Sequence, residues 1–190
     1  MAADKPAPRR RDPKRRIEEI AAATEKVIAA RGIEGLTHRA VAEEAGVPLG
    51  ATTYHFATKD DLIQAALTRA VDRYAAYLSD WTASRPDLTT DQLTVLLTDV
   101  LMSCFGPLRE QNIVEFELYL AALRRPALRP LADQYTELNI RALAQYTDPV
   151  TATAAAAALN GLTLSGLAGT RTPTRAEIEA VLRRILVGSG

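Results

Sequence analysis

Leu36-Thr37-His38-Arg39-Ala40-Val41-Ala42-Glu43-Glu44-Ala45-Gly46-Val47-Pro48-Leu49-Gly50-Ala51-Thr52-Thr53-Tyr54-His55-Phe56-Ala57-Thr58-Lys59-Asp60-Asp61-Leu62 is the stretch that decides the fold. Thr37 offers a side-chain oxygen to the first free N–H groups of a short helix, His38 to Glu44. Ala45-Gly46-Val47 is a tight turn, with glycine supplying the backbone freedom. Pro48 loses nothing in the first turn of a second short helix through His55, because an N–H there lacks a helical partner anyway. Ala42 is small enough for the two helices to approach. Val41, Val47 and Phe56 are placed to pin the pair onto a preceding helix. Two short helices joined this way form a helix-turn-helix, whose second member lies in a major groove.

The polar residues suit that geometry. Thr53, Tyr54, His55 and Lys59 carry hydroxyl, phenol, imidazole and ammonium donors for phosphate oxygens. Thr37 and Arg39 can reach the backbone on the other side. Leu49, Gly50 and Ala51 are small or apolar and can approach base edges, such as a thymine methyl. Taken alone, Tyr54 and His55 read equally well as packing or cap residues. His38 and His55 have no acidic or cysteine ligand at suitable spacing, so no metal site is expected.

Residues 1–12 hold proline, alanine and charge without apolar periodicity and read as a flexible arm. Residues 1–16 carry a net +5 while the chain as a whole is neutral, so the rest sums to −5. A basic front on a mildly acidic body suits contact with a polyanion at one end. Arg9, Arg10, Arg11, Lys14, Arg15 and Arg16 lie just before the first helix. They are expected to follow the DNA backbone or enter a minor groove; a solubilising tail is the alternative. From Pro13, Ile17, Ile20, Ala21, Thr24, Val27 and Ile28 recur at helical spacing until Gly32.

Downstream, Thr58 caps a long helix from Asp60 to about Ser84, striped by Ile63, Ala66, Leu67, Ala70, Val71, Tyr74, Tyr77, Leu78 and Trp81. Thr90 reads as the cap of a helix to about Phe105. Others run from Pro107 to Arg125, from Pro126 to about Thr147, and through an alanine-rich segment to about Ala168. Thr174-Arg175-Ala176-Glu177 is a capping box opening the last helix, to about Val187. Nine helices and no strand make the chain all-α. The division is an arm (1–12), a three-helix head (13–59) and a six-helix body (60–190).

The stretch Leu36 to Val47, continued by Gly50 to Leu62, resembles the DNA-binding domain of TetR-family (tetracycline-repressor-like) regulators; the match covers about residues 15–63. The resemblance implies a homodimer held by an intersubunit four-helix bundle of the last two helices, and a small molecule that binds the body and lowers DNA affinity. By position, Thr37, Arg39, Thr53, Tyr54, His55 and Lys59 match phosphate-contacting sites, and Leu49, Gly50 and Ala51 base-facing ones. Thr53 stands where many members have tyrosine and has a shorter reach. Thr52 replaces a commoner apolar residue and is expected to be half buried.

The body is less informative. Asn112 to Leu123 is apolar nearly all round and is expected to be central. Glu115, Glu117 and Asn112 then either pair, with Arg109, Arg124 or Arg141 as candidate partners, or line a cavity. Leu97, Leu101, Phe105, Glu115, Phe116, Tyr119, Leu120 and Leu123 could wall a pocket, with Trp81 at its rim; core packing explains the apolar ones equally well. Ala152, Ala154 to Ala158, Leu159, Leu162 and Leu164 give a helix of small surface, and Ile178, Val181, Leu182, Ile185 and Leu186 stripe the last one. Together, at about 149–187, they could pair two subunits. No catalytic constellation or phosphate loop is present, and no cofactor is implied. A helical enzyme and a ligand-blind DNA-binding regulator are the rival readings. One cysteine, Cys104, excludes an internal disulfide and reads as a buried small residue. No apolar run is expected to reach membrane-span length, and a soluble cytoplasmic protein is expected.

Overall fold

The computed structural model describes residues 13–188. Nine α-helices are present among them, with no strand: α1 Pro13–Arg31, α2 His38–Ala45, α3 Leu49–His55, α4 Lys59–Ala83, α5 Thr90–Cys104, α6 Arg109–Arg124, α7 Arg129–Leu143, α8 Pro149–Ala168 and α9 Arg175–Leu186. A single 3-10 turn, Pro126–Leu128, precedes α7.

Side-chain caps fix the helix starts. Thr58 accepts from the Asp61 N–H while Asp61 accepts from the Thr58 N–H, and Thr174 and Glu177 do the same for α9. The cap of α5 is Thr89 rather than Thr90, because Gln92 lies three residues on and closes the reciprocal pair with Thr89. Asp148 caps α8 by accepting from the Val150 and Thr151 N–H groups. Two expected helices are shorter than their breakers suggest. Residues 106–108 turn before α6, with the Leu108 N–H bonded back to Ser103, and α7 stops at Leu143.

Two apolar clusters hold the chain. The first joins Ile20, Ile28, Leu36 and Val41 of the head to Leu62, Ile63 and Leu67 of α4, and to Val114, Leu118, Leu128 and Tyr135. The first half of α4 packs on the same core as the head helices, and α6 rests on that cluster too. The second cluster joins Trp81, Leu93, Leu97, Leu101, Leu143, Ala152, Ala155, Ile178 and Leu182.

Polar ties reinforce the head–body contact. Glu25 of α1, nearly buried, accepts from Arg69 and Arg73 of α4, each at 2.6 Å. Glu117 of α6 accepts from the Ile33 N–H at 3.4 Å. Arg125 pairs with Asp60 at 3.1 Å.

α8 corrects one expectation. It is a 20-residue helix without a charged side chain, long and apolar enough by length and composition to cross a membrane. Alanine supplies much of that character. Ala152, Ala155, Ala156, Thr163 and Gly166 are buried against the rest of the fold.

A candidate nucleic-acid interface and an internal cavity

Gly46 closes α2 in the left-handed region, φ 63° and ψ 35°, where its N–H reaches the Ala42 and Glu43 carbonyls. The Val47 N–H also returns to Ala42, at 3.0 Å, which completes the turn into α3. The His38 Nε2–H donates to the Phe56 carbonyl at 2.9 Å and ties the start of α2 to the end of α3. Val41 and Phe56 are buried, and Val47 packs partly against the same cluster. Thr52 is wholly buried, not half; its hydroxyl donates to the Leu49 carbonyl at 2.8 Å, which lets a polar residue occupy an apolar slot.

α3 turns its other face outward. Leu49, Gly50, Thr53 and Tyr54 are exposed, Tyr54 at 84%, and Ala51 and His55 are half-buried. The rings of Tyr54 and His55 meet edge to face at 5.0 Å. Thr53 bonds back along its own helix, to the Gly50 carbonyl at 3.3 Å. Thr37 and Arg39 are exposed beside α3. The Lys59 ammonium donates to the Glu34 carbonyl at 3.2 Å, so it also holds the α1–α2 loop.

Lys14, Arg15 and Arg16 do not precede the first helix but form its first turn, since α1 starts at Pro13. Arg15 and Arg16 pair with Glu19, at 2.9 and 3.1 Å. Cations at a helix start oppose the helix dipole unless an anion lies near. Arg9, Arg10 and Arg11 lie outside the described residues.

A cavity of about 320 Å³ opens between α4, α5, α6, α7 and α8. Ligand pockets run from about 300 to 1,000 Å³, so it holds a small organic molecule. Tyr74, Tyr77 and Tyr135 supply aromatic faces; Tyr74 and Tyr135 stack at 4.7 Å. Asn112, Asn139 and Asn160 supply amides. The Tyr74 hydroxyl donates to Asn139 at 2.6 Å. Glu115 is the carboxylate in the wall. Burial pushes its pKa up to about 7, against the opposing pull of a Tyr135 hydrogen bond and the Arg73 charge. Burial also lifts the Cys104 thiol to about 11, so this wall residue is largely un-ionised at neutral pH.

The expected wall residues divide. Leu101 and Glu115 line the cavity. Trp81 and Leu97 line a narrow side cleft of about 50 Å³ that shares Tyr74 and Tyr77 with it. Tyr119 sits behind Tyr135, edge to face at 5.9 Å, and bonds Thr136. Phe105 is not a wall residue: its ring fills the space left by the missing side chain of Gly166, beside Pro173. Phe116 is half-buried outside the lining, and Leu120 and Leu123 are 58% and 75% exposed. α6 buries Val114, Leu118, Ala121 and Ala122 and turns Glu115 to the cavity, which leaves positions 120 and 123 outside. Glu117 bonds Ile33 rather than any of the three arginines considered.

Sequence reasoning missed the contributions of α4, α7 and α8. Ala70, Arg73, Tyr74 and Tyr77 form one helical stripe, and two tyrosines with an arginine among them were the available signal. Asn160, an amide inside an alanine helix, was another.

Comparison with known proteins agrees with this arrangement. Residues 20–66 match the family described as "Bacterial regulatory proteins, tetR family", and residues 88–188 match "Tetracyclin repressor-like, C-terminal domain". The HTH-type transcriptional regulator PksA of Bacillus subtilis (strain 168) is 32% identical over 114 residues, which are 60% of this chain. That match spans about half, 53%, of the relative's length. Among solved structures, a member of the TetR family (SCO1917) from Streptomyces coelicolor A3 is 43% identical with a TM-score of 0.75, covering 90% of this chain and 97% of that one. The multidrug binding protein EbrR, complexed with ethidium, is 43% identical with a TM-score of 0.75, covering 90% and 98%. With its helix-turn-helix matched by one family description and its body by another, the chain belongs to the TetR family of DNA-binding transcriptional regulators.

Proposed function

We propose that the chain is a homodimeric repressor released from its operator by a small lipophilic cation. The observation that carries the ligand class is Glu115, a buried carboxyl facing a chamber walled by tyrosines. A bound cation would offset the carboxylate's lost hydration, and tyrosine faces attract cations as well. EbrR has been solved with ethidium, proflavin and malachite green. In this reading Leu101, Tyr74, Tyr77 and Tyr135 enclose the ligand and Glu115 is its counter-ion.

At the other end, Leu49, Gly50 and Ala51 face base edges, and Thr37, Arg39, Tyr54, His55 and Lys59 hold phosphates. Thr53 contributes least, since its hydroxyl is engaged within α3. α8 and α9 pair two subunits, which sets the reading helices at half-sites about 34–36 Å apart. The two-state account follows from differential affinity: a ligand that prefers the dimer with misplaced heads lowers DNA affinity, and DNA weakens the ligand equally. A ligand-blind regulator would have no use for an open chamber with a carboxyl inside it.

The test is fluorescence anisotropy on the protein's own upstream DNA at two salt concentrations, with unrelated DNA as control. Tetraphenylphosphonium, and tetraphenylborate of the same shape and opposite charge, are then titrated in. Specific binding released by the cation alone is expected. Specific binding indifferent to both ions defeats the ligand reading. No preference over the control, followed by failure of a genome-wide fragment selection, defeats the operator reading.

A further inference from the structure

A second cleft of about 410 Å³ lies against the chamber on the outside, between α4 and α5, with Asp80 and Arg85 on one side and Asp99 and Ser103 on the other. Tyr77, Val100 and Leu108 line both spaces and so form the partition between them. None of the three is anchored by a polar side-chain bond among the described residues. Tyr77 is 41% exposed and only stacks on Tyr74, at 6.2 Å. α5 is held to α9 by ion pairs, Asp99–Arg175 at 2.5 Å and Asp91–Arg183 at 2.6 Å, and no ion pair joins it to α4 among the described residues.

The charges along this path favour one sign. Asp80 is exposed and has no ion pair among the described residues. Arg85, the cation of the cleft, is held back over the Trp81 ring at 5.2 Å and bonds the Trp81 carbonyl and the Ser84 hydroxyl. Asp99 is neutralised by Arg175, and Arg73 at the inner wall is committed to Glu25. Arg85 keeps its charge through these contacts and offsets Asp80 in the cleft, so the unopposed group along the path is the carboxyl inside, Glu115.

We propose that small molecules reach the chamber through the α4–α5 cleft, that Tyr77, Val100 and Leu108 are its gate, and that Glu115 makes the passage selective for cations. The inference rests on the reading of the chamber as an effector site. It is tested without an effector, because the chain's single cysteine, Cys104, lines the chamber behind the gate. A methanethiosulfonate transfers its alkylthio group to the Cys104 thiolate, forming a mixed disulfide and releasing methanesulfinate. The 2-(trimethylammonio)ethyl and 2-sulfonatoethyl reagents differ mainly in charge. Their rate ratio, taken at one pH and divided by the ratio for the denatured chain, cancels the thiol's own ionisation.

The cation is expected to react roughly tenfold faster than the anion at low salt and pH 8, from attraction by the ionised Glu115 carboxylate at short range. Glu115→Gln lowers that ratio. Tyr77→Ala speeds both reagents and Val100→Phe slows both, so a misfolded single variant does not decide the matter. Equal rates for the two charges overturn the selectivity. Rates indifferent to both gate variants, or modification only after denaturation, overturn the route. Cation-preferring, gated modification in a protein that tetraphenylphosphonium does not release from DNA defeats the effector reading and leaves the route standing; release by tetraphenylphosphonium with ungated modification does the reverse.

Discussion

Glu115 sets the chemistry of the cavity, and its effect on stability has a definite sign. The carboxyl's ordinary value is 4.5, and burial raises it to about 7 in the fold. An acid with a raised folded pKa contributes stability that is fully present below about pH 4.5 and is lost as the pH rises through about 7. The shift corresponds to about 3 kcal/mol. Glu115→Gln keeps the shape and stays neutral at every pH. Urea unfolding at pH 4.5 and pH 8 should show the variant gaining about 3 kcal/mol on the wild type between those values. A pH-independent difference would mean that the carboxyl titrates as if in water. The residues of the helix-turn-helix were legible because their roles are local: a cap, a turn, a small contact. Thr52 and His38 were less so, since a buried threonine bonded to Leu49 and a histidine bonded to Phe56 depend on the neighbours that folding supplies.

At the scale of elements, the starts of α2, α4 and α9 followed from sequence, at Thr37, Thr58 and Thr174, while at α5 two threonines compete and Gln92 selects Thr89. The path of a helix face did not. α6 looks apolar all round, and only packing on α1, α4 and α7 decides that Glu115 faces the cavity while Leu123 faces out. The same packing places Arg73 at two sites at once, on the cavity wall and in an ion pair with Glu25 of α1. Charge in the cavity and the position of α1 therefore share one guanidinium. Glu25→Gln removes the anchor shared by Arg69 and Arg73. Because both arginines are partly exposed, the expected loss of stability is about 1–2 kcal/mol, below the 3–5 of a fully buried broken pair. The affinity of a cationic ligand for the DNA-free protein should fall, because Arg73 on the cavity wall loses its counter-charge, and the fold by which it weakens DNA binding should shrink as well. Ligand titrations with and without operator measure that coupling. Unchanged coupling in a folded Glu25→Gln variant would place the transmission elsewhere, with Glu117 on Ile33 as the next candidate.

At the scale of the whole molecule, α8 presents a surface that a lone subunit does not explain. Val150, Ala154, Ala157, Gly161, Leu164 and Ala168 recur at intervals of three and four, all exposed and all uncharged. Val181 and Val187 of the α9 end are exposed as well. Small side chains permit close helix approach, so two copies of α8 and α9 can form one bundle across a two-fold axis. Gly161 separates this explanation from packing within one chain, because a Cβ added there meets nothing within 4 Å in the subunit. Gly161→Arg should therefore leave the fold and its helical circular dichroism intact while placing a charge in the middle of the pairing face. Light scattering after gel filtration should show a monomer where the wild type is a dimer. DNA affinity should fall by about two to four orders of magnitude, because the second head loses the effective concentration that the first one provides. Methanethiosulfonate access to Cys104 should persist, since the cavity and the α4–α5 cleft lie within one subunit. A folded Gly161→Arg protein that still dimerises would move the interface off this face of α8 and leave its uncharged stripe needing another partner.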